Sequence, residues 1–583
     1  MRTPKQGSNP ILDFALTHEF DEFKIERGTK RVVAFGDESH KCPTYVLRTP
    51  PCQAGCPAGE DIRGYHNLLT GVEKSDDIWD AAWRRVTERN PFPSVMGRVC
   101  PHPCETSCNR EIQDEAIGIN MVEHAIGDFG IENDLQYNKP TTETGKRIAV
   151  IGGGPAGLSA AYQMRLRGHE VTIYDYREKL GGMMRYGILE YRVSREALDA
   201  EISKIINLGG IHTKMNTRIG TDVTLEELKE KYDAVFIGVG AQKGNGLPVH
   251  GFGDSPNTTN AIDFLEDFEL NGDKMHVGQN VVVIGDGDVS MDAVRLSRRM
   301  GSKATLLSAV PRDEMNCSDM EYDDAAREGV DMKELISVVG VIRDGETVKG
   351  AKCVKMVKKD QGEEGFNSPI PFLRYKPVEG SDFEIECDMI VAAIGQRTNM
   401  EGLESATGDN PFLKVDKTYK LQGEEKVFGG GDAIKIDLIT TAVGHGRKAA
   451  EAMHQYIMAI PADKTRPQEV IPYEKLYTYY FKESEQIKRP HAEIPEIKGN
   501  FDETLKSTDR ETAIAESKRC MSCGLCFECK QCMLYCPQEA ITMRKQNPIG
   551  EVMYTDYSKC VGCHICAQVC PTGYIHMGMG EDL

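Results

Sequence analysis

The chain has 583 residues and a formal net charge of −20, with 40% hydrophobic and 27% charged residues. This length exceeds what one hydrophobic core serves and predicts several domains, while the acidic balance disfavours a nucleic-acid partner. No apolar run reaches the roughly 18 residues that span a bilayer, and the amino terminus lacks the pattern of a signal peptide. A cytoplasmic protein without a membrane span is therefore expected.

Cysteines mark both ends of the chain. Sixteen of the 19 cysteines fall in two groups with the short spacings of metal or cluster ligands, whereas disulfides belong to oxidising compartments. The first group is Cys42, Cys52, Cys56, Cys100, Cys104 and Cys108. Three isolated residues, Cys317, Cys353 and Cys387, are expected to be small buried side chains.

A first dinucleotide-binding pattern follows at residues 147–175, which read as strand, glycine turn, helix and second strand. Gly152 permits the turn, Gly154 lets the backbone approach a pyrophosphate, and Gly157 lets the helix pack on the strand. Asp175 then accepts hydrogen bonds from a ribose. A glycine turn without a ligand is the alternative, and the complete strand, helix and acidic residue disfavour it.

A second pattern at residues 280–307 repeats this order, with Gly285, Gly287 and Ser290 in the three small positions. Two such sites predict a bound flavin and a visiting nicotinamide. The flavin is assigned to the first site, because a late segment is expected to complete it. That segment places Gly430, Gly431 and Asp432 after a strand, and Thr440, Thr441 and Ala442 before a helix. An ordinary turn with an acidic helix cap is the alternative.

Residues from about 42 to 460 resemble the glutamate synthase small-subunit family. The resemblance rests on GRVCPHPCETSC, VIGGGPAGLSAAY, KLGGMMRYGILEYRV, VVVIGDGDVSMDAVR and VFGGGD with its following helix. It implies an α/β fold of two Rossmann-like domains, one inserted in the other, with a helical iron-sulfur domain before them. The cysteine-rich tail, which lies outside this resemblance, is expected to form a ferredoxin-like α+β domain after them. The expected boundaries are 1–143 for the helical domain, 144–260 with 395–460 for FAD, 261–394 for NAD(P), 461–515 for a linker and 516–583 for the ferredoxin.

The resemblance also implies the cofactor-binding residues. FAD is expected at Gly152, Gly154, Pro155, Ala156, Gly157, Asp175, Gly182, Arg192, Gly431, Asp432, Thr441 and Ala442, and the nicotinamide at Gly285, Gly287, Asp288 and Ser290. Relatives that use NADPH carry paired arginines where this chain has Ser308 and Ala309, which favours NADH. NADPH stays open as an alternative, because no acidic residue ends that strand and Arg312 lies nearby.

The carboxyl-terminal cysteines have the spacing of a bacterial ferredoxin with two 4Fe-4S clusters. One cluster is expected on Cys526, Cys529, Cys532 and Cys570, and the other on Cys536, Cys560, Cys563 and Cys566. Zinc is the alternative, but it prefers two pairs of ligands to two runs of four. Cys520 and Cys523 continue the same spacing without an assigned role, so a shifted ligand frame stays open.

The amino-terminal ligands follow only from the family resemblance. Cys56, Cys100 and Cys104 are expected to bind one 4Fe-4S cluster with Glu123 as the fourth ligand, and a solvated carboxylate is the alternative for Glu123. Cys42, Cys52 and Cys108 are expected at a second cluster that lacks one ligand. The family's opening pair of cysteines is reduced here to Cys42.

These parts predict an iron-sulfur flavoprotein that exchanges hydride between NADH and FAD, and single electrons between clusters and a partner protein. A two-cluster tail on this core resembles the iron-sulfur flavoprotein of the dissimilatory sulfite reductase system. That resemblance implies sulfite reductase as the partner and a homodimer. The alternatives are the electron-input subunit of a glutamate synthase or 2-oxoacid oxidoreductase, and an electron relay without nucleotide turnover.

Overall fold

A computed structural model describes residues 41–407, 411–461, 468–493, 496–543 and 553–578. The chain divides into two compact units, one of Met1–Leu135, Pro461–Pro490 and Ser507–Leu583, the other of Gln136–Ile460 and His491–Lys506. The predicted linker thus contributes residues to both units. The expectation of an uncleaved amino terminus concerns residues outside the described part. Within the described part, no helix has the length and apolar character needed to cross a membrane.

The amino-terminal part of the first unit is helical, as predicted. Two of its helices pack closely because glycines face the contact: a Cβ on Gly97 would lie 2.4 Å from the Cα of His124, and one on Gly127 would lie 2.2 Å from the amide of Ser94. This packing sets Cys100, at the end of one helix, beside Glu123 on the other. The helices are Pro51–Gly55, Ile62–Leu69, Ile78–Thr87, Pro93–Val99, Pro103–Thr106, Arg110–Gln113, Ile119–Glu132 and Arg510–Ser517.

The cysteine-rich tail completes the first unit. Its two short helices are Gln531–Leu534 and Ile565–Gln568, and its strands Ile541–Met543 and Met553–Thr555 pair antiparallel. The last strand, Ile575–Gly578, pairs antiparallel with Cys42–Tyr45, so that Cys42 lies opposite Gly578. The amino-terminal segment and the tail therefore share one sheet, which the sequence did not predict.

The second unit contains two parallel sheets, which agrees with the predicted Rossmann-like fold. The strands of the first sheet, in spatial order, are Val427–Gly429, Ala234–Ile237, Arg147–Ile151, Glu170–Tyr174 and Ile211–Lys214. The strands of the second are Asp331–Lys333, Lys303–Leu307, Asn280–Ile284, Met389–Ala392 and Thr258–Asn260. Since Thr258–Asn260 pairs with Met389–Ala392, the inserted domain begins a few residues before the expected position 261.

Smaller elements complete the second unit. An antiparallel sheet is formed by Ile336–Asp344, Thr347–Lys358, Tyr375–Pro377 and Phe383–Glu386, and a ribbon by Lys243–Gly244 and Gln396–Arg397. The helices are Pro155–Leu166, Met183–Tyr186, Arg195–Ile206, Leu225–Lys231, Ala261–Asn271, Asp288–Arg299, Asp319–Arg327, Glu404–Thr407 and Ile439–Met458. Each glycine turn stands between a buried strand and a helix, where free amide groups at the helix start favour a phosphate.

Candidate redox sites

The first glycine turn is tightly packed. Gly152 has a φ of +100°, and a Cβ there would lie 2.4 Å from the carbonyl oxygen of Gly238. A Cβ on Gly157 would lie 1.9 Å from the carbonyl oxygen of Gly152. Any larger side chain at these two positions would push the helix Pro155–Leu166 off its strand, so both positions require glycine.

A cleft of about 800 Å³, measured to its open mouth, lies against this turn. Most of the residues predicted to bind FAD line it together: Gly152, Gly154, Pro155, Ala156, Asp175, Gly182, Gly431, Asp432 and Ala442. The structure therefore brings the early turn and the late glycine-aspartate segment to one cleft.

The two predicted carboxylates of the cleft differ in their surroundings. Asp175 accepts hydrogen bonds from the backbone amides of Gly153 (2.6 Å) and Arg177 (2.8 Å), and burial raises its pKa. Burial raises the pKa of Asp432 to about 6. Thr441 donates to Asp437 at 3.2 Å, and Asp437 itself lines the cleft. The predicted residue Thr441 therefore does not line the cleft itself and contacts a residue that does.

Several residues of the cleft were not predicted. The guanidinium of Arg177 stands over the rings of Tyr176 (4.5 Å) and Tyr186 (5.0 Å) and pairs with Glu266. A second wall is formed by Gly238, Val239 and Gly240, which follow the strand Ala234–Ile237. A glycine pair directly after a buried strand was a usable sequence signal for this wall, whereas the stacked arginine had none.

Arg192 differs from its prediction as a FAD ligand. It is buried, and its guanidinium donates to Asp292 at 2.7 Å and pairs with Glu321 at 2.7 Å. It is absent from the residues that line the cleft. Removing Arg192 would leave the buried carboxylate of Asp292 without this ion pair, so Arg192 has a structural role here.

The second glycine turn carries the predicted nicotinamide residues. A Cβ on Gly285 would lie 2.4 Å from the carbonyl oxygen of Ala393, whereas a Cβ on Gly287 would meet nothing within 4 Å. The buried hydroxyl of Ser290 donates to the carbonyl of Gly287 at 2.5 Å. Asp288 accepts from the amide of Ser318 at 2.8 Å, so its carboxylate ties a neighbouring loop to the turn.

Arg312 has partners of its own beside this site. Its guanidinium pairs with Asp319 and stands 4.1 Å from the ring centroid of Tyr322. Ser308, at the end of the strand Lys303–Leu307, is fully buried and its hydroxyl donates to the carbonyl of Val310 at 2.8 Å. Both side chains have other partners, so neither is available to bind a phosphate in this arrangement.

Two cavities in the tail separate the eight ferredoxin-type cysteines into fours. The cysteines of one cavity are Cys526, Cys529, Cys532 and Cys570, and those of the other are Cys536, Cys560, Cys563 and Cys566. These are the two predicted ligand sets. Burial raises the pKa of the Cys526 thiol to about 12, and a bound metal centre offsets that cost by holding the thiol as a thiolate.

The predicted amino-terminal ligands also come together. Cys56, Cys100 and Cys104 lie within electrostatic range of one another and of Glu123. Glu123 is only 6% exposed, which is inconsistent with the alternative of a solvated carboxylate. The sequence missed Glu60, which is also buried: the Asn90 amide donates to both carboxylates at 3.0 Å, and burial raises the pKa of Glu60 to about 7.

The position of Cys42 corrects the ligand set that was predicted for the second amino-terminal cluster. Its strand pairs with the tail, and its thiol lies within electrostatic range of Cys560, whereas Cys52 lies within range of Cys108, Cys520 and Cys523. In the described residues no group of three or more cysteine, histidine or acidic side chains is arranged to hold a single metal ion. A cubane holds its thiolates farther apart than one zinc ion does, because each ligand binds a different iron.

Comparisons with known proteins agree with these sites. A family profile described as pyridine nucleotide-disulphide oxidoreductase matches residues 146–446. Profiles described as dihydropyrimidine dehydrogenase domain II, 4Fe-4S cluster, and as 4Fe-4S dicluster domain match residues 17–135 and 525–574. Fold and sites thus define an iron-sulfur flavoprotein oxidoreductase that binds FAD, NAD(P) and 4Fe-4S clusters.

Curated relatives narrow this class. The NADP(+)-dependent formate dehydrogenase subunit beta of Moorella thermoacetica is 31% identical over 510 residues, which cover 82% of this chain and 70% of the relative. The glutamate synthase [NADPH] small chain of Azospirillum brasilense is 31% identical over 435 residues, covering 70% and 87%. The chain belongs to this family of FAD- and NAD(P)-dependent iron-sulfur oxidoreductases, which includes the glutamate synthase small subunit.

Proposed function

We propose that the chain exchanges hydride between NADH and FAD and passes single electrons through its clusters to a partner protein in the cytoplasm. The main observation in support is that one chain contains a flavin-type cleft, a second dinucleotide turn and two sets of four cysteines. Nicotinamides transfer electron pairs and clusters transfer single electrons, and a bound flavin supplies the conversion between them. Free thiols at all 19 cysteines suit a reducing compartment.

The choice of NADH over NADPH rests on the residues that follow the strand Lys303–Leu307 beside the second turn. NADPH binding needs a cation at the 2′-phosphate, and the nearby Arg312 is paired with Asp319 and stacked on Tyr322. Anaerobic stopped-flow mixing tests this choice. Flavin absorbance should bleach faster with NADH than with NADPH, and equal or faster bleaching by NADPH would refute the NADH preference. A flavin that neither nucleotide bleaches would favour a relay without nucleotide turnover.

The partner is proposed to be a dissimilatory sulfite reductase, because a two-cluster tail on this core resembles the flavoprotein of that system. The relatives named above are subunits of a formate dehydrogenase and a glutamate synthase, which makes the input subunit of another oxidoreductase the second candidate. Affinity purification of the tagged chain distinguishes them. A sirohaem spectrum in the co-purified fraction supports the first, and a glutamate synthase large subunit or 2-oxoacid oxidoreductase supports the second.

The assembly is proposed to be a homodimer. Light scattering of the purified holoprotein measures this directly, since the chain alone has a mass of 64.7 kDa. A mass near one chain would contradict the dimer and leave the redox sites unaffected.

A further inference from the structure

Two cysteines of the tail have no place in the ferredoxin pattern. Cys520 and Cys523 lie just before Cys526, and the two tail cavities are lined by other cysteines. In the structure their thiols lie within electrostatic range of Cys108, and Cys52 lies within range of all three. Four thiols thus converge from three segments of the first unit.

Specific contacts hold this convergence in place. The Asn109 amide donates to the Cys523 sulfur at 3.7 Å and to the carbonyl of Ile471 at 3.2 Å. Between the two tail cysteines, the buried hydroxyl of Ser522 donates to the Asn67 side chain at 2.6 Å. The Cys520 to Cys523 segment is therefore fixed to the amino-terminal helices by side-chain contacts on both sides.

A buried cation lies near three of the four thiols. Arg63 is 8% exposed, and its guanidinium donates to the carbonyls of Cys523 (2.7 Å) and Arg48 (2.8 Å). It lies within electrostatic range of Cys52, Cys520 and Cys523. A buried cation favours negative charge beside it, and a cubane held by four thiolates is an anion.

An unpartnered polar atom points to the same place. Tyr65 is fully buried, and its hydroxyl has no hydrogen-bond partner among the described residues. It lies within electrostatic range of Glu123, Glu60 and Cys104, and after them of Cys52, so it lies beside the amino-terminal ligands and within range of one thiol of this group. An unsatisfied buried hydroxyl is costly, and the sulfur atoms of a bound cluster would accept from it.

We infer that Cys52, Cys108, Cys520 and Cys523 bind a further 4Fe-4S cluster, so that the tail supplies the two ligands which the amino-terminal domain lacks. This inference deepens the proposed electron-transfer function and rests on it for its purpose, whereas the ligands themselves follow from the contacts. Cys42 is then not a ligand of the second amino-terminal cluster.

With the additional site, the four ligand sets of the first unit form one series, in which each set is linked to the next by a short stretch of chain. Cys52 and Cys56 are one helical turn apart, with the Cys56 amide bonded to the Cys52 carbonyl at 3.1 Å. Only two residues lie between Cys523 and Cys526, which limits the distance between their Cα atoms to about 10 Å. The predicted tail sets are linked likewise by Cys532-x3-Cys536 and Cys566-x3-Cys570. Every neighbouring pair of ligand sets is therefore connected by cysteines three or four residues apart.

Iron and acid-labile sulfide counts on the anaerobically purified full chain test the inference. We expect about sixteen irons per FAD, because four cubanes hold four irons each. A count of about twelve would overturn the inference, and so would about twelve irons with one zinc per chain. Flavin bleaching by NADH, measured on the same sample, tests the proposed function separately.

A pair of variants tests the ligands. Cys520→Ser with Cys523→Ser should lose about four irons and four sulfides per FAD and one signal from the electron paramagnetic resonance of the reduced protein, with the flavin retained. The matched control Cys42→Ser should keep all iron. The reverse pattern would overturn the inference. If the double variant fails to fold, the single variant Cys520→Ser should instead keep its iron and shift one cluster's midpoint potential, and an unchanged set of potentials would count against the inference.

Discussion

The two glycine turns of the second unit share a sequence pattern but differ in how tightly they are packed. Their first positions are alike, since a Cβ on Gly152 or on Gly285 would lie 2.4 Å from a backbone carbonyl oxygen. The third positions differ. A Cβ on Gly157 would lie 1.9 Å from a carbonyl oxygen, whereas Ser290 is accommodated and donates to the carbonyl of Gly287.

The charges of the two turns differ as well. The central residue of the first turn is Gly153, whose amide donates to Asp175. The central residue of the second is Asp286, whose carboxylate accepts from Asn316 at 3.2 Å and whose pKa is raised by burial. A tight neutral turn suits a cofactor that stays bound, and a more open acidic turn suits a nucleotide that must leave.

The largest expected effect comes from exchanging the third residues. Gly157→Ser should release most of the flavin and destabilise the protein by about 1–3 kcal/mol or more, because the new side chain overlaps the Gly152 carbonyl. The reciprocal Ser290→Gly should keep the flavin and cost at most about 1 kcal/mol. Flavin-to-protein absorbance ratios and thermal melting measure both. Flavin retained in Gly157→Ser would show that the first turn is not constrained as described.

A smaller effect is expected at Gly287, where a Cβ meets no protein atom. Gly287→Ala should leave flavin content unchanged and cost about 1 kcal/mol at most as a helix cap. The KM for NADH should nevertheless rise by about tenfold, since the methyl group stands where a pyrophosphate must approach the backbone. An unchanged KM would mean that the nucleotide does not approach this turn.

The acidic residue of the second turn gives the next prediction. Asp286→Asn should lower the KM for NADH by about fivefold, equivalent to about 1 kcal/mol of charge repulsion removed. In the wild type the KM should fall as the pH falls, because protonation neutralises the same carboxylate, and the variant should lose this dependence. Asp273→Asn, an exposed change of equal charge on another loop, serves as the control.

The smallest effect is expected at Arg312. Arg312→Ala should change NADH and NADPH reduction by less than about twofold, because an exposed ion pair contributes roughly 0–1 kcal/mol and the guanidinium is engaged with Asp319. Arg327→Ala, which removes another surface arginine on the following helix, is the matched control. A selective loss of NADPH reduction would show that Arg312 reaches the 2′-phosphate after all.

The sequence by itself determined the features that depend on short spacings. The two glycine turns, the parallel α/β fold and the cysteine runs of the tail each lie within one stretch of chain, where backbone geometry fixes which residues meet. The four-cysteine sets of the two tail cavities follow from those runs. The buried Glu123 followed from family resemblance, and its burial beside Cys100 comes from two helices that glycines allow to approach.

Only the tertiary structure decided which distant segments meet. It places Cys42 beside Cys560 rather than with Cys52, engages Arg192 with Asp292 and Glu321, and brings Cys520 and Cys523 to Cys108. These pairs are separated by about 100 to more than 500 residues, so no local spacing encodes them. They depend on the packing of a tail segment against amino-terminal helices and on a strand pairing that joins the first described residues to the last.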